Sequence, residues 1–266
     1  MYDDVALRIA TWNVNSLRVR LPQLGEWLAA SQPDIVALQE TKSPDADFPA
    51  AALQTLGYHA AFSGQKTYNG VAVLARQPLA AEIVDIPGFT DPQRRVLATT
   101  LPLASGAALR VIDLYVPNGQ AVGSEKYAYK LEWLAALRRW LQQESAQHQN
   151  LVVLGDFNIA PEDRDVHDPK AWEGNVHVSP AERAALAALV EDGFVDVFRQ
   201  FEQPERSFSW WDYRAAGFRR NHGLRIDLIL ASRTLAARCT ACVIDREPRT
   251  AERPSDHTPV IATFDI

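Results

Sequence analysis

The chain has 266 residues, of which 47% are hydrophobic and 23% are charged. This composition is typical of a globular protein that can bury a core, and it excludes disordered and fibrous architectures. Lysine and arginine total 27 against 33 acidic residues, which gives a net charge of −6. Bulk charge therefore does not favour binding to nucleic acid, although local basic clusters or bound cations can reverse the field around one cleft.

The sequence contains no linker, repeat or low-complexity tract, so we predict one domain over residues 1–266, with two domains as the alternative. No apolar run approaches the roughly 20 residues of a membrane span. Asp3 and Asp4 stand where a secretory signal would carry basic residues. We therefore expect a protein that does not associate with membranes and that works in the cytoplasm.

In chain order, short runs rich in β-branched and apolar residues predict strands. They lie at 8–14, 35–39, 70–75, 96–101, 109–116, 151–154, 224–230, 241–244 and 260–264. Helical patterns cover 21–30, 125–147 and 180–192. The last begins with Ser179 as N-cap, Pro180 at the first helical position and Glu182 three residues after the cap, which is the signature of a capping box.

Many of these strands are apolar throughout, while others alternate, so each sheet should have helices on one face and another apolar layer on the other. This pattern favours an α/β protein in which two packed sheets are covered by helices. A doubly wound parallel sheet is the alternative. It requires a helix after nearly every strand, whereas the strands at 96–101 and 109–116 are joined by a short Ala-Ser-Gly-Ala turn, as in a hairpin.

Cys239 and Cys242 form a C-x-x-C pair, which occurs in redox proteins and in zinc sites. A redox pair needs its first sulfur at a helix N-terminus, but the neighbouring Thr240, Val243 and Ile244 favour a strand. No second cysteine pair completes a zinc site. We interpret the two cysteines as residues that fill space in a strand.

The predicted strands stop at polar and anionic side chains. One carboxylate after a strand is usually a turn residue or a helix cap, but here several strands end in this way. Because the strands of a sandwich bring their ends to a common edge, these side chains can converge on one cleft. They are Asn13, Glu40, Tyr115, Asp156, Asn158, Asp227, Asp256 and His257.

Carboxylates crowded in one cleft repel one another unless a divalent cation holds them. With oxygen ligands, no cysteine and one histidine, the expected ion is Mg²⁺ or Mn²⁺. Such a site suits hydrolysis of phosphate esters, in which a carboxylate takes a proton from water and histidine, asparagine and tyrosine stabilise the developing charge. We interpret Asp156 as the base and Gly155 as the residue that lets the backbone turn sharply at the strand end. The alternative for His257 is a capping residue before the last strand.

Eight short motifs, in this order, resemble those of the exonuclease III family of abasic-site endonucleases, and they extend over most of the chain. They are TWNVNSLR at 11–18, LQETK at 38–42, YNGVA at 68–72, YVPNG at 115–119, GDFNIAP at 155–161, WWDYR at 210–214, LRID at 224–227 and PSDH at 254–257. The resemblance implies a four-layered α/β sandwich of the DNase I type. It also implies repair of double-stranded DNA at abasic sites and at blocked 3′ ends, by a protein that we expect to be monomeric.

The same resemblance implies roles for individual residues. Glu40 is the main metal ligand, with Asn13 and Asp256 close by. Asp156 activates the attacking water, and Asn158 helps to hold both this water and the phosphate. Asp227 orients and charges His257, which faces the scissile phosphate, and Tyr115 and Asn118 bind phosphate oxygens.

The stretch 208–225 combines aromatic residues with Arg214, Arg219, Arg220 and Arg225. By resemblance, Trp210, Leu224 and Ile226 line a pocket for an extruded sugar, and the loop between them enters DNA. A missing base makes extrusion less costly, which would give selectivity for damage. The alternative is an aromatic strand pair packed in the core beside a solvated basic loop. The segment 162–179, with His167, Trp172 and His177, matches no family-wide pattern.

Two other functions stay open at this point. A phosphatase or phosphodiesterase for inositol phosphates or lipids would use the same metal chemistry, but the sequence shows no lipid-facing amphipathic segment and such a substrate does not explain the aromatic and basic stretch. A catalytically silent DNA-binding module would have lost a carboxylate or His257 from the group, and every member is present.

Overall fold

The computed structural model of the protein describes residues 6–103 and 106–266. Asp3, Asp4 and the first two residues of the predicted hairpin turn lie outside the described residues. The strands are β1 (Ala6–Asn13), β2 (Ile35–Gln39), β3 (His59–Ser63), β4 (Val71–Ala75), β5 (Ala80–Val84), β6 (Val96–Pro102), β7 (Ala108–Tyr115), β8 (Asn150–Asp156), β9 (Phe194–Asp196), β10 (Trp210–Trp211), β11 (Gly223–Leu224), β12 (Asp227–Ser232), β13 (Cys239–Ile244) and β14 (Val260–Asp265).

Within residues 6–103 and 106–266, seven α-helices accompany them: α1 (Leu17–Ser31), α2 (Ala50–Thr55), α3 (Glu125–Gln147), α4 (Pro169–Trp172), α5 (Pro180–Glu191), α6 (Gly217–Arg220) and α7 (Arg233–Ala236). The predicted capping box of α5 is confirmed, since Ser179 and Glu182 exchange side-chain hydrogen bonds with each other's backbone. None of the helices in the described ranges is long and apolar enough to cross a membrane.

Two six-stranded sheets lie face to face, in the orders β13-β14-β1-β2-β4-β3 and β5-β6-β7-β8-β12-β9. Within them, β1 and β2 are parallel, as are β7 and β8, and the other pairings are antiparallel. The predicted hairpin of β6 and β7 is confirmed. Apolar residues such as Ile9, Val73, Val111 and Leu154 fill the space between the sheets.

The outer faces of the sheets carry helices. Trp27 and Leu28 of α1 and Leu53 of α2 cover the first sheet, while Trp133 and Leu137 of α3, with residues of α5, cover the second. The order is therefore helix, sheet, sheet, helix, and the prediction of a four-layered α/β sandwich is confirmed. Cys242 is buried in β13 and Cys239 is partly buried beside it, both as free thiols, so they fill space as predicted.

One predicted strand, at 224–230, is interrupted. Leu224 pairs with Trp210 in the small β10–β11 hairpin, and β12 begins only at Asp227. Between them, the Arg225 guanidinium reaches the carboxylates of Asp165 and Asp196, and the Ile226 amide donates to Ser209 Oγ. The Arg225 backbone N–H donates to the Asp165 carbonyl and the Ile226 N–H to a side-chain hydroxyl, so the β8–β12 ladder begins only at Asp227. Apolar character alone does not reveal such a break.

The interpretation of Gly155 as a sharp turn is wrong. Strand β8 runs through Gly155 and ends at Asp156, with Gly155 paired to Leu228 of β12. A Cβ atom at this glycine would lie 1.9 Å from the carbonyl oxygen of Leu114, and its φ is +145°. The glycine is required because two backbones approach closely beside the site.

We expect Gly155→Ala to destabilise the fold by about 3 kcal/mol, since the backbone of Leu114 cannot move without disturbing β7. The matched control is Gly25→Ala in α1, where the new Cβ would lie 3.5 Å from the Leu56 side chain, an ordinary contact. That change should stabilise the protein by about 0.5–1 kcal/mol. Urea unfolding of both variants tests the difference, and equal stabilities would contradict this account of Gly155.

Candidate active site

The candidate site lies at one edge of the space between the sheets. Asn13, Tyr115 and Asp156 are the last residues of β1, β7 and β8, and Glu40 follows β2 directly. Strands β12 and β14 run antiparallel to their neighbours β8 and β1, so their beginnings, at Asp227 and after His257, reach the same edge. The convergence expected from the strand ends therefore occurs.

Glu40 is half-buried and its two carboxylate oxygens have different partners. Its Oε1 accepts hydrogen bonds from Asn13 Nδ2 at 3.0 Å and from the Tyr115 hydroxyl at 2.9 Å. Its Oε2 pairs with the Lys42 ammonium at 2.9 Å. Lys42 also donates to Asn15 Oδ1 at 2.6 Å, so a side-chain cation already sits against the carboxylate that was predicted to hold the metal.

Asp156 is buried at the centre of the site. Its Oδ1 accepts from the backbone N–H of Asn158 at 2.9 Å, and its Oδ2 accepts from Asn13 Nδ2 at 2.9 Å. Burial raises the pKa of Asp156 to about 7; Asp227 and Glu40 add to this increase, whereas His257 and Asn13 oppose it. A carboxyl with a pKa near neutrality can exchange a proton with water under physiological conditions.

Asp227 and His257 form a buried pair. His257 Nδ1 donates to Asp227 Oδ2 at 2.9 Å, and the hydroxyl of Ser209 donates to the same oxygen at 2.6 Å. Nε2 of the imidazole lies 3.6 Å from Asp156 Oδ2. Burial by itself would lower the pKa of His257, but the carboxylates of Asp227 and Asp156 outweigh it and raise the pKa to about 10. The histidine is therefore cationic at neutral pH, with Nε2 directed into the site.

The residues fit a divalent cation. Glu40, Asp156 and His257 each offer a ligand atom, and these atoms lie within 4.8 Å of one another. Carboxylate oxygens, with the amide of Asn13 between them, are the ligand type that Mg²⁺ and Mn²⁺ prefer, whereas a protonated imidazole is a poor ligand. Asp256, also predicted near the metal, has other partners: its oxygens accept from Asn15 Nδ2 at 2.9 Å and from Trp210 Nε1 at 3.0 Å.

The residues predicted to form a sugar pocket do lie together. Leu224 and Ile226 are buried with Ala160 and Val166, and Trp210 packs against them while staying partly exposed. Trp172 meets Trp210 edge to face, with ring centroids 6.5 Å apart. Through its bond to Asp256, Trp210 is joined to the acidic part of the site. The wall is apolar and only partly covered, which is compatible with a pocket.

The segment 162–179 forms another wall of this region. His177 is buried, its Nδ1 lies 2.6 Å from the carbonyl oxygen of Asn158, and its Nε2 lies 3.5 Å from Asn118 Nδ2. Burial and the nearby Lys130 ammonium lower the pKa of His177 to about 4, so its ring is neutral. His167 lies farther along the segment and stacks on His222, with centroids 4.8 Å apart.

Asn118 is exposed and stands at one side of a groove of about 780 Å³. The groove extends from Tyr115 to Tyr68 and is also lined by Arg95 and Lys126. The Arg95 guanidinium stacks over the Tyr115 ring at 4.8 Å. Aromatic and basic side chains thus continue from the acidic centre along the surface.

Sequence reasoning missed several members of the site. Lys42 belongs to a quoted motif, but a lysine in a loop is usually a solvated charge, and only its position against Glu40 gives it a role. Ser209 and Asn15 bind Asp227 and Asp256 through side chains that no local pattern singles out. Lys130 looks like one polar position of an amphipathic helix, yet it is completely buried beside the site.

At one edge of the two helix-covered sheets, carboxylates that fit a divalent cation lie beside a cationic histidine. This combination defines a hydrolase of phosphate esters. Residues 10–257 match the endonuclease/exonuclease/phosphatase family, and the chain belongs to that family. Within it, the chain is a DNA-repair nuclease of the exodeoxyribonuclease III type.

Three comparisons carry this assignment. Exodeoxyribonuclease III of Haemophilus influenzae is 37% identical over 267 residues, which cover 97% of this chain and 100% of that protein. The 3′ phosphatase NExo from Neisseria, solved with a product DNA hairpin, has 48% identity and a TM-score of 0.94, with 98% of this chain and 100% of that chain covered. An AP endonuclease from Archaeoglobus fulgidus has 40% identity and a TM-score of 0.92 over the same shares.

The Asp227–His257 pair predicts a pH dependence. Because folding raises the pKa of His257 from 6.5 to about 10, the stability that the charged histidine contributes is complete below about pH 6.5 and is lost as the pH rises through about 10. In Asp227→Asn, the pKa of His257 should fall by about 1–3 units. NMR titration of the His257 ring in metal-free protein, wild type against Asp227→Asn, measures this shift. An unchanged His257 titration would contradict the assignment.

Proposed function

We propose that this nuclease hydrolyses phosphodiester bonds of double-stranded DNA at abasic sites, and that it also removes blocking groups and nucleotides from 3′ ends, with Mg²⁺ as cofactor. The observation that carries the proposal is the placement of Asp156, which lies between the amide of Asn13 and the cationic ring of His257. The relatives named above include a 3′ phosphatase and an AP endonuclease on this same fold, which supports both kinds of substrate.

Glu40 is the residue best placed to bind the metal, with Asp156 and Asn13 beside it. Mn²⁺ accepts the same oxygen ligands and is an expected substitute. When bound, the divalent ion supplies positive charge that neutralises phosphate oxygens and makes a nearby water more acidic. We assign Asp256 an indirect part, because Asn15 and Trp210 already use its oxygens.

The protein's own groups account for the proton transfers. Water attacks phosphorus, its proton passes to Asp156, and the bond from phosphorus to the leaving oxygen breaks as the new bond forms; the leaving oxygen keeps the bonding electron pair and takes up a proton from solvent. The backbone N–H of Asn158 keeps the Asp156 carboxylate in one orientation. His257 carries a proton on each ring nitrogen, so Nε2 can donate to a phosphate oxygen while Nδ1 stays bound to Asp227. This arrangement places positive charge where negative charge develops.

Tyr115 and Asn118 complete the phosphate-binding set. Burial and the neighbouring Glu40 carboxylate raise the pKa of Tyr115 well above its ordinary value, so its hydroxyl stays protonated and can donate a hydrogen bond. Asn118 is exposed at the start of the groove, where its amide can reach a phosphate from solvent. Tyr115 is the last residue of β7, and Asn118 lies in the loop that follows it.

Binding of DNA is supported by the local distribution of charge. The groove beyond Asn118 carries Arg95 and Lys126, and the loop around α6 carries Arg214, Arg219 and Arg220. These two basic regions come from distant parts of the sequence. We propose that they contact the DNA backbone on either side of the scissile phosphate. Although the whole protein is acidic, the field near the cleft can therefore attract DNA.

The apolar wall formed by Trp210, Leu224 and Ile226 supports recognition of an extruded sugar. An abasic sugar can enter beside these side chains without a base, whereas an intact nucleotide must first be unstacked and then carries a base that obstructs entry. We further propose that the protein acts as a monomer in the cytoplasm. Size-exclusion chromatography with light scattering tests the monomer.

The proposal predicts metal-dependent activity on three duplexes, which carry an abasic analogue, a recessed 3′ end or a 3′ phosphate. Mg²⁺ should support cleavage of all three and excess EDTA should abolish it. Glu40→Gln keeps the shape and removes the charge, so it should raise the Mg²⁺ requirement and slow cleavage by about 10²-fold or more. Glu26→Gln, on the exposed side of α1, is the control. Full activity of Glu40→Gln, or of the wild type in EDTA, would refute the role of Glu40.

The pocket predicts a change in substrate ratio. Trp210→Leu retains an apolar side chain, so it should reduce the preference for the abasic duplex over intact duplex and affect 3′-phosphate removal less. Truncating a buried tryptophan can lower the free energy of unfolding by about 3–5 kcal/mol. Trp140→Leu, on the buried face of α3, is therefore the control for lost stability. Measurement of kcat/KM on each duplex gives the ratio. If kcat/KM falls by the same factor on the abasic, the intact and the 3′-phosphorylated duplex, Trp210 is a core residue.

A further inference from the structure

Helix α3 buries a lysine next to the active site. The Lys130 side chain is completely inaccessible, although an apolar residue at this helix position could pack on the second sheet as Trp133 and Leu137 do. Removing an ammonium from water is costly unless hydrogen bonds and an opposite charge replace the water. The presence of a lysine here therefore needs an explanation beyond packing.

Each donor of Lys130 has a partner. Nζ donates to the backbone carbonyl of Asn158 at 2.7 Å, to the backbone carbonyl of Asn118 at 3.2 Å, and to Glu182 Oε1. An ammonium has three N–H groups, so all are used. Two of the three acceptors are main-chain oxygens of the asparagines that stand at the proposed phosphate site.

The segments that these carbonyls belong to are loops whose shape a strand does not determine. Asn158 has a φ of 50°, in the left-handed region, and Asn118 precedes Gly119, which has a φ of 90°. In addition, the Asn158 N–H holds Asp156 Oδ1, and Asn158 Nδ2 donates to the carbonyl of Val116. A displaced Asn158 backbone would thus change the orientation of Asp156 as well.

The partner carboxylate ties in a third segment. Glu182 is also completely buried, and its oxygens accept from the backbone N–H groups of His177 and Ser179 and from the Ser179 hydroxyl. His177 in turn contacts the Asn158 carbonyl. The Lys130–Glu182 ion pair therefore connects α3, the loops after β7 and β8, and the start of α5.

A second buried ion pair on α3 offers a comparison. Arg110 Nε lies 2.7 Å from Glu144 Oε2, and both side chains are buried. Arg110 also donates to the carbonyl of Ala81 and the hydroxyl of Thr100, on strands β5 and β6, and Glu144 also accepts from Trp140 Nε1 within α3. This pair joins the other end of α3 to the sheet and does not contact the residues of the site.

We propose that Lys130, supported by Glu182, is a positioning residue: it fixes the backbones of Asn118 and Asn158, and through Asn158 it orients Asp156 toward the phosphate. The inference rests on the proposed function for the roles of these residues in phosphate binding. Charge alone does not explain the pair, because replacing a buried ion pair by uncharged side chains of similar volume is often neutral for stability. The hydrogen bonds from Lys130 to the carbonyls of Asn118 and Asn158 do explain why an ion pair lies here.

The test compares two double variants, Lys130→Met/Glu182→Gln and Arg110→Met/Glu144→Gln, by urea unfolding, by kcat and KM on the abasic duplex, and by inhibition with inorganic phosphate. We expect similar stabilities. The Lys130 double variant should lose about 10²-fold in kcat and bind phosphate about tenfold more weakly, while the Arg110 double variant keeps wild-type values. Equal values of kcat and phosphate binding in the two variants would overturn the inference.

Side-chain amide NMR signals of Asn118 and Asn158 provide a readout that does not depend on activity. They should shift in the Lys130 double variant and stay in place in the Arg110 double variant; unchanged signals in both would overturn the inference even if cleavage were slow. If the wild type fails to cleave DNA, the proposed function fails, and these signals still decide the positioning role. Should the Lys130 double variant not fold, Lys130→Arg carries the test, because its planar fork keeps the charge but not the three donor directions.

Discussion

The cost of burying two carboxylates, Asp156 and Asp227, is the constraint on which the rest of the site depends. Both are almost completely inaccessible, and an isolated buried charge would be neutralised by protonation. For Asp227 the structure supplies the His257 cation and the Ser209 hydroxyl. For Asp156, burial outweighs the more distant His257 cation at 3.6 Å and the Asn13 amide, and the carboxylates of Asp227 and Glu40 add to the effect, so its pKa is raised to about 7. The unequal compensation gives the two carboxylates different chemistry.

The interior between the sheets becomes polar one or two residues before the site. Along β1 and β2, side chains that face the other sheet change from Ile9 and Ile35 to Thr11 and Gln39, and the Gln39 amide donates to Thr11 and to Asp113 of β7. The next positions are those of the site. Because successive side chains alternate between the faces of a strand, a gradual change from apolar to polar can occur on one face while the other stays packed on helices. A buried polar layer thus supports the catalytic layer above it.

Two loop segments form the walls beside this edge of the sheets, and buried charged side chains hold both of them in place. Arg249 holds the segment between β10 and β11. Its guanidinium lies 5.2 Å from the Tyr213 ring and 5.1 Å from the Phe218 ring, and it donates to the Trp211 carbonyl. On the opposite wall, the segment with His177 is anchored through Glu182 and Lys130. Both walls are thus fixed by buried charged groups that lie outside the acidic centre.

The helix-covered pair of sheets and the acidic group could be predicted from the residues alone, because alternation, caps and polar strand ends are local signals. Helix α3 and strand β2, for example, have the predicted bounds. Helix α1 shows a limit of such signals, since it begins at Leu17, four residues before the predicted start. Other roles become visible only in the folded chain: Gly155 serves a close backbone contact, Arg225 binds two aspartates, and Lys42 and Lys130 face Glu40 and two loop carbonyls. Each of these depends on a partner far away in sequence, and a lysine or glycine has the same local signature whether that partner is present or not.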